Sequence, residues 1–246
     1  LPGCKEEFII DHVISNHCFD NKWKTKARME QLQTDSRIHC SIGIHPRFVS
    51  DKDRWQMIQE VEDLIQSQKV VALGEIGLDF SDPNISHSRR RAQQCSLELV
   101  TPLAVKYHLP VILHNRGSQK EGCLHRCLEI LSRTLPPDIP IHVHCFSGTP
   151  EEVNTLLQAF PSSIFGITSR ETNKDKLRVI RQIPLQKLML ETDSPYLVPP
   201  KFQQQTRYSN PGMVLEAAKL IARAKNLPLQ SVCEITHRVA TAFYKL

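Results

Sequence analysis

Four side chains of metal-binding type stand in equivalent places along this sequence: Glu75 after the run VVALG, His114 after PVIL, His144 after IHV and Asp193 after LMLET. Alone, a His or Glu in such a place is more often a hydrogen-bonded polar group than a ligand. Four of them, each close behind a short apolar run, are harder to assign to chance. Parallel strands closed into a barrel bring their C-terminal ends to one mouth, where catalytic side chains collect. Imidazole and carboxylate suit a divalent ion of intermediate hardness, Zn²⁺ or Mn²⁺, and carboxylates also suit Mg²⁺. A carboxylate can bridge two ions, and a two-ion centre lowers the pKa of water and steadies the entering and leaving oxygens. That arrangement serves phosphodiester hydrolysis.

The elements that must position these groups alternate along the chain. Short runs rich in branched residues at 8–14, 38–44, 70–73, 111–113, 139–143, 163–167 and 187–190 read as buried parallel strands. Apolar residues at helical spacing mark 51–68, 91–108, 123–135, 211–225 and 229–243 as helices, and Thr149-Pro150-Glu151-Glu152 is a helix-start signal. The alternation predicts one α/β domain over residues 1–246, a TIM-type (β/α)8 barrel, for which roughly 250 residues is typical. Seven runs are found where a closed barrel has eight strands. An open doubly wound sheet is the structural alternative, without its usual support, since no GxGxxG follows a strand.

Composition sets broad limits. Hydrophobic residues make up 40% and charged residues 23%, which suits a globular domain and argues against disorder throughout. The net charge of +5 is compatible with a polyanionic ligand and is equally common among enzymes of small substrates. Eight cysteines are scattered without a CxxC pair, the pattern of reduced thiols. Cys123, His125 and Cys127 lie close enough to suggest zinc, but a helix carrying two thiols on one face accounts for them better. No run of about 18 apolar residues implies a membrane span. Cytoplasm or nucleus is the expected location.

The segments GIHP (43–46), GEIGLD (74–79), LHNR (113–116), HCFSG (144–148) and ETDSPYL (191–197) come in the order and spacing of one family. In these segments the chain resembles the TatD-related metal-dependent deoxyribonucleases, from about Ile38 through NPG (210–212) to the C-terminal helix. The resemblance is nearest to the animal members that carry a long N-terminal extension. It implies a TIM barrel, two divalent metal ions (Mg²⁺ first, Mn²⁺ or Zn²⁺ as alternatives) and nuclease activity on DNA, with RNA as a further substrate. It also implies roles. Glu75 would bridge the two ions, His114 and His144 would bind one of them, and Asp193 would help bind the other and take the proton from the attacking water. Glu75 and Asp193 are thus the expected catalytic groups. His45 would sit near the scissile phosphate, although a turn-forming His before Pro is an equal reading. Arg116 could fork onto phosphate. Glu191 and His142, which share faces with Asp193 and His144, read as supporting or packing groups. The basic clusters Lys22–Arg28 and Arg89–Arg91 read as solvated helix faces. Trp23 and Tyr196 are candidates for stacking on a base.

One family feature is missing. Family members begin with a strand ending in His-x-His, which binds a metal, and in this chain the run at 8–14 aligns with the family's second strand instead. The first strand is therefore expected to lie upstream of Leu1, with residues 1–246 weakly stable and weakly active by themselves. Two other functions stay open: a non-catalytic nucleic-acid-binding remnant of the same fold, and a barrel amidohydrolase or phosphotriesterase-like enzyme. A monomer without membrane association is expected.

Overall fold

Among the described residues, seven strands pair in parallel and in chain order: β1 (Val13–His17), β2 (Ile38–Ile42), β3 (Val70–Asp79), β4 (Val111–Arg116), β5 (Ile141–Val143), β6 (Ile164–Ile167) and β7 (Leu188–Leu190). A computed structural model describes residues 8–18, 22–49, 53–117, 122–170 and 172–246, with Lys22 and Trp23 described in backbone only. The stacking role considered for Trp23 thus lies outside the described residues. Among the described residues, seven helices fill the crossovers, α1 (Lys22–Leu32), α2 (Arg54–Ser67), α3 (His87–Val100), α4 (Pro102–Lys106), α5 (Cys123–Thr134), α6 (Pro150–Ala159) and α7 (Lys174–Gln182), and two follow β7, α8 (Val214–Lys225) and α9 (Leu229–Tyr244).

The sheet is curled. Ile14 of β1, Val71 and Ala72 of β3, Ile112 of β4, Ile164 of β6 and Met189 of β7 meet in one apolar cluster. Side chains on strands that far apart in the order can touch only inside a sheet bent round on itself. The alternate strand residues, among them Leu73, Leu113 and Ile141, face outward into a larger core with Leu97 of α3, Leu131 of α5, Ile180 of α7 and Ile221 of α8. The expected TIM-type architecture is therefore present as a seven-stranded open barrel. Its two edges, β1 and β7, do not pair with each other among the described residues. Helix α9 serves both edges. It packs on β7, it sends Phe243 and Tyr244 into the interior cluster beside Ile14, and its His237 ring stacks on His12, just ahead of β1, with centroids 5.8 Å apart.

Several boundaries differ from the sequence expectation for physical reasons. The run at 8–14 is not one strand: Phe8 and Ile9 are exposed, and pairing starts where the Val13 amide donates to the Arg37 carbonyl. The runs at 70–73 and 111–113 are longer than expected, because the ladder between β3 and β4 continues to Asp79 opposite Arg116. Glu75 and His114 thus lie within strands, not past their ends. Gly77 makes this close pairing possible. It takes φ +151, and a Cβ there would fall 1.8 Å from the His114 carbonyl oxygen. The stretch 91–108 is two helices, since Pro102 has no N–H to continue α3, and α3 itself starts earlier, at His87, where the Ser86 hydroxyl accepts from the Arg89 amide. The TPEE signal does open α6, with the Thr149 and Glu152 side chains each bonded to the other's backbone amide.

The basic cluster at 89–91 is only partly a solvated face. Arg89 donates to the Val49 and Arg47 carbonyls, and Arg90 lies over the Phe80 ring with 4.6 Å to its centroid. On α5, Cys123 and Cys127 are buried while His125 points outward to Glu129 at 3.1 Å, so the three do not converge on an ion. Burial pushes the Cys40 thiol up to about 11, and it raises Cys18 and Cys127 as well. Alkylation at pH 8, followed by mass spectrometry, should label the half-buried Cys95 and Cys233 first. The three buried thiols should react at least about 100-fold more slowly than a free thiol of pKa about 8.5 until denaturant is added. Fast native labelling of Cys40 would contradict the packing of β2.

Candidate metal centre

Strand alternation fills the barrel interior in layers. On β4, Ile112 lies in the interior cluster and His114 lies two residues further toward the mouth, and on β5 the corresponding pair is His142 and His144. Glu75, at the bend in β3, stands between the two upper histidines. Its Oε2 is 3.4 Å from His114 Nδ1 and its Oε1 is 3.7 Å from His144 Nε2. The Oε1 atom also accepts from Asn16 Nδ2 at 2.9 Å, and Asn16 Oδ1 accepts from the Ser41 hydroxyl at 2.6 Å, so the edge strand β1 helps hold Glu75. Asp193, past β7, brings Oδ1 to 3.3 Å from His144 Nε2, from a backbone at φ 55 that L-residues seldom adopt.

Among the described residues, two groups of atoms able to ligate a metal result. Those of His45, Glu75 and His114 lie within 4.8 Å of one another, and so do those of His144, Cys145 and Asp193. The structure thus brings together Glu75, His114, His144, Asp193 and His45. It divides His114 and His144 between two groups on opposite sides of Glu75, where the resemblance implies that they share an ion. Arg116 closes β4 at the mouth with its side chain exposed.

His45 is buried, with its ring centroid 4.4 Å from that of His114. Its Nδ1 accepts from the Arg47 amide at 3.2 Å, so the neutral ring carries its proton on Nε2. Burial, then the charge of His114, lowers its pKa to about 4 and keeps it neutral. In this form His45 offers an N–H to an anion, and it could act as a third ligand beside Glu75 and His114 only by losing the bond to Arg47.

Glu191 lies beneath His144. Its Oε1 accepts from His144 Nδ1 at 2.6 Å and its Oε2 from the Cys145 amide at 2.7 Å. A carboxylate on Nδ1 fixes the tautomer and leaves Nε2 as the ligating atom, which is the atom facing Glu75 and Asp193. His142 Nε2 stands 3.2 Å from the same Glu191 oxygen, and its Nδ1 accepts from the Tyr244 hydroxyl of α9 at 2.7 Å. No local pattern in the sequence marks Tyr244, Asn16 or Asp79 as parts of the site, though Asp79 belongs to the GEIGLD segment. Asp79 Oδ2 lies 3.5 Å from His114 Nε2 and accepts from Arg47 Nε at 2.8 Å.

Removing the Tyr244 hydroxyl tests this support. In Tyr244→Phe, the buried His142 Nδ1 loses its donor, which costs about 1–3 kcal/mol. A fall in melting temperature of several degrees is expected, read by calorimetry. An unchanged melting temperature would place the hydroxyl outside the network.

The electrostatics suit a cation. Burial alone would raise the Glu75 carboxyl, but His144, then the hydrogen bond and charge of His114, and His45 outweigh it and hold it at about 2. Glu191 is likewise held well below the usual range, its burial outweighed by His144 and His142. Burial opposes charge on His144, yet Cys145, Glu191 and Glu75 raise its pKa well above the ordinary value. Ionised carboxylates enclosed with imidazoles are stable only when positive charge balances them. Nε2 of His114 is buried and faces Asp79 Oδ2 at 3.5 Å. A donor set of carboxylate oxygens and imidazole nitrogens gathered in this way fits a divalent ion.

Several known proteins are similar to this chain. The family described as TatD related DNase matches residues 5–245. The human 3'-5' RNA nuclease TATDN2 is 30% identical over 240 residues, which is 95% of this chain and 30% of the human protein, so the chain spans under a third of that relative's length. The metal-dependent hydrolase YabD of Bacillus subtilis is 28% identical, with 93% of this chain and 85% of YabD covered. The 3'-5' ssDNA/RNA exonuclease TatD of Erwinia billingiae is 37% identical over 176 residues, 69% of this chain and 63% of that protein. Among solved structures, the Escherichia coli TatD homologue YJJV superposes with a TM-score of 0.78 at 24% identity, over 96% of this chain and 87% of that one. With nearly its whole length matched, the chain belongs to the TatD-related DNase family.

Proposed function

We propose that this chain is the catalytic barrel of a divalent-metal-dependent nuclease that shortens single-stranded DNA and RNA from the 3′ end. The observation that carries this reading is the position of Glu75, whose two oxygens face the imidazoles of two separate ligand groups. The relatives named as 3'-5' nucleases support the polarity and the substrate class. Glu75, His114, His144 and Asp193 would hold two divalent ions, Mg²⁺ or Mn²⁺. Bound there, such ions supply positive charge that activates water and offsets charge on the phosphate.

The protein groups have separate tasks. Asp193, partly exposed at the mouth, accepts the proton released as water attacks phosphorus, and the bond to the leaving sugar oxygen breaks as that oxygen takes a proton from solvent. The Nε2–H of His45 donates a hydrogen bond to a phosphate oxygen. Glu191 fixes the orientation of His144, and Asn16 that of Glu75. Arg116, exposed beside them, pairs with a phosphate of the strand. No helix among the described residues is long and apolar enough to cross a membrane.

The test is an assay on 5′-labelled single-stranded and duplex DNA and RNA with Mg²⁺, Mn²⁺ or EDTA, using this chain and the longest native form of the protein. Stepwise, metal-dependent shortening from the 3′ end supports the proposal. Strand binding in EDTA with no turnover in either metal would sink it in favour of a non-catalytic remnant.

A further inference from the structure

The segment that carries Asp193 continues into a feature that the metal centre does not use. A cavity of about 340 Å³ lies beside it, lined by Arg170, Pro195, Tyr196, Leu197, Arg207 and Tyr208 among others. Its size falls at the lower end of the roughly 300–1,000 Å³ found for small-ligand pockets. Tyr196 and Tyr208 are each 61% exposed. Large aromatic rings left this open usually meet a partner when several share one surface. The residues lining the cavity include two arginines and no acid, so its field favours an anion.

The platform is tied to the centre. The Tyr196 amide donates to the Asp193 carbonyl at 2.8 Å. The segment bearing Tyr208 is held to the same loop by the Ser209 amide on the Pro195 carbonyl at 2.9 Å and by the Ser194 hydroxyl on Ser209 Oγ at 3.3 Å. The Arg207 guanidinium lies 5.9 Å from the centroid of the Tyr208 ring, within cation–π range.

We propose that this cavity is a nucleobase subsite, in which Tyr196 and Tyr208 stack on a base of a single-stranded nucleic acid while Arg170 and Arg207 contact its flanking phosphates. Aromatic faces beside cationic side chains are the combination that single strands require, since every base has a π-face and every link a negative charge. In a duplex the base faces are already stacked and unavailable. The subsite deepens the proposed nuclease function and rests on it for its substrate class. Stacking alone does not depend on the base identity, so DNA and RNA strands both qualify.

The experiment separates this subsite from catalysis by measuring binding in EDTA. Fluorescence anisotropy would compare a labelled single-stranded DNA 12-mer with an abasic strand of equal length and charge, at two salt concentrations. The wild type should bind the base-bearing strand about tenfold or more tightly than the abasic one. Tyr196→Ala and Tyr208→Ala should each remove most of that preference, Tyr208→Phe should keep it, and Arg207→Gln should weaken both strands and flatten the salt dependence. Equal affinity for the two strands, no measurable binding, or indifference to the alanine changes would overturn the subsite. A protein that shows the preference but cleaves nothing with Mg²⁺ or Mn²⁺ would overturn the nuclease reading and uphold the subsite. One that cleaves normally with no tyrosine dependence would do the reverse.

Discussion

Replacing Glu75 by Gln is expected to lower the cleavage rate on a single-stranded oligonucleotide by at least about 10³-fold while the protein stays folded. Gln keeps the volume of Glu, and its amide oxygen can still accept from Asn16 Nδ2, the partner that now holds Oε1 at 2.9 Å. The negative charge is what disappears. Glu75 is ionised in the interior, with an imidazole near each of its oxygens, and an amide cannot serve both ligand groups. The imidazoles beside it lose a balancing charge, so the melting temperature should fall by several degrees while the fold persists. Calorimetric titration with Mn²⁺ gives a second readout: the variant should lose measurable affinity for at least one ion. Cleavage at the wild-type rate would mean that Glu75 is a structural acid and that the centre lies elsewhere.

The second large effect is expected from a single methyl group. Gly166, in β6, faces the interior beneath His144, and a Cβ there would come within 1.8 Å of Glu191 Oε2 and 2.6 Å of His142 Nε2. Gly166→Ala must therefore displace the Glu191 carboxylate. That group is at once the partner of His144 Nδ1, of the Cys145 amide and, at 3.2 Å, of His142 Nε2. Moving it releases the tautomer and aim of His144. Loss of such supporting contacts lowers metal affinity by about 10–100-fold. Overpacking adds a destabilisation of about 1–3 kcal/mol. Mn²⁺ titration together with a denaturant melt checks both, and the Glu191→Gln variant should share the loss of affinity without the overpacking. A Gly166→Ala protein with native Mn²⁺ affinity would show that Glu191 does not orient His144.

The candidate ligand positions were legible because two local signals coincide: a metal-binding residue type, and a short branched run just ahead of it. That pairing picked out Glu75, His114, His144 and Asp193 without any knowledge of pairing register. Periodicity also found most of the helices; α7 carries a helical spacing too, in Leu177, Val179 and Ile180, but with only three apolar residues among five charged ones it does not stand out. The extension of β3 and β4 past their apolar runs was hidden because interior strand positions there carry Glu75, Asp79 and His114, which read as loop residues. Asn16 and Tyr244 were out of reach for another reason. Each acquires its role from a residue on a distant strand, and the identity of that partner depends on how the sheet curls. The same is true of the distances that place His114 with His45 and His144 with Asp193, which depend on the packing of separate strands.

Tyr244 and His142 are 102 residues apart in the chain, Asn16 and Glu75 are 59 apart, and His144 and Glu191 are 47 apart. Contacts that close long loops form late, after local helices and neighbouring strands have collapsed. The centre is therefore a late product of folding and, by the same logic, an early loss on unfolding. When α9 lifts from the interior, the Tyr244 hydroxyl leaves His142, the neighbour of Glu191 and His144, while the ladder from β2 to β6 can persist. Amide protons of α9 should accordingly exchange faster than those of β3 and β4. On heating, activity should fail some degrees before the sheet melts, so that thermal inactivation reports the docking of one helix and not the strength of the barrel.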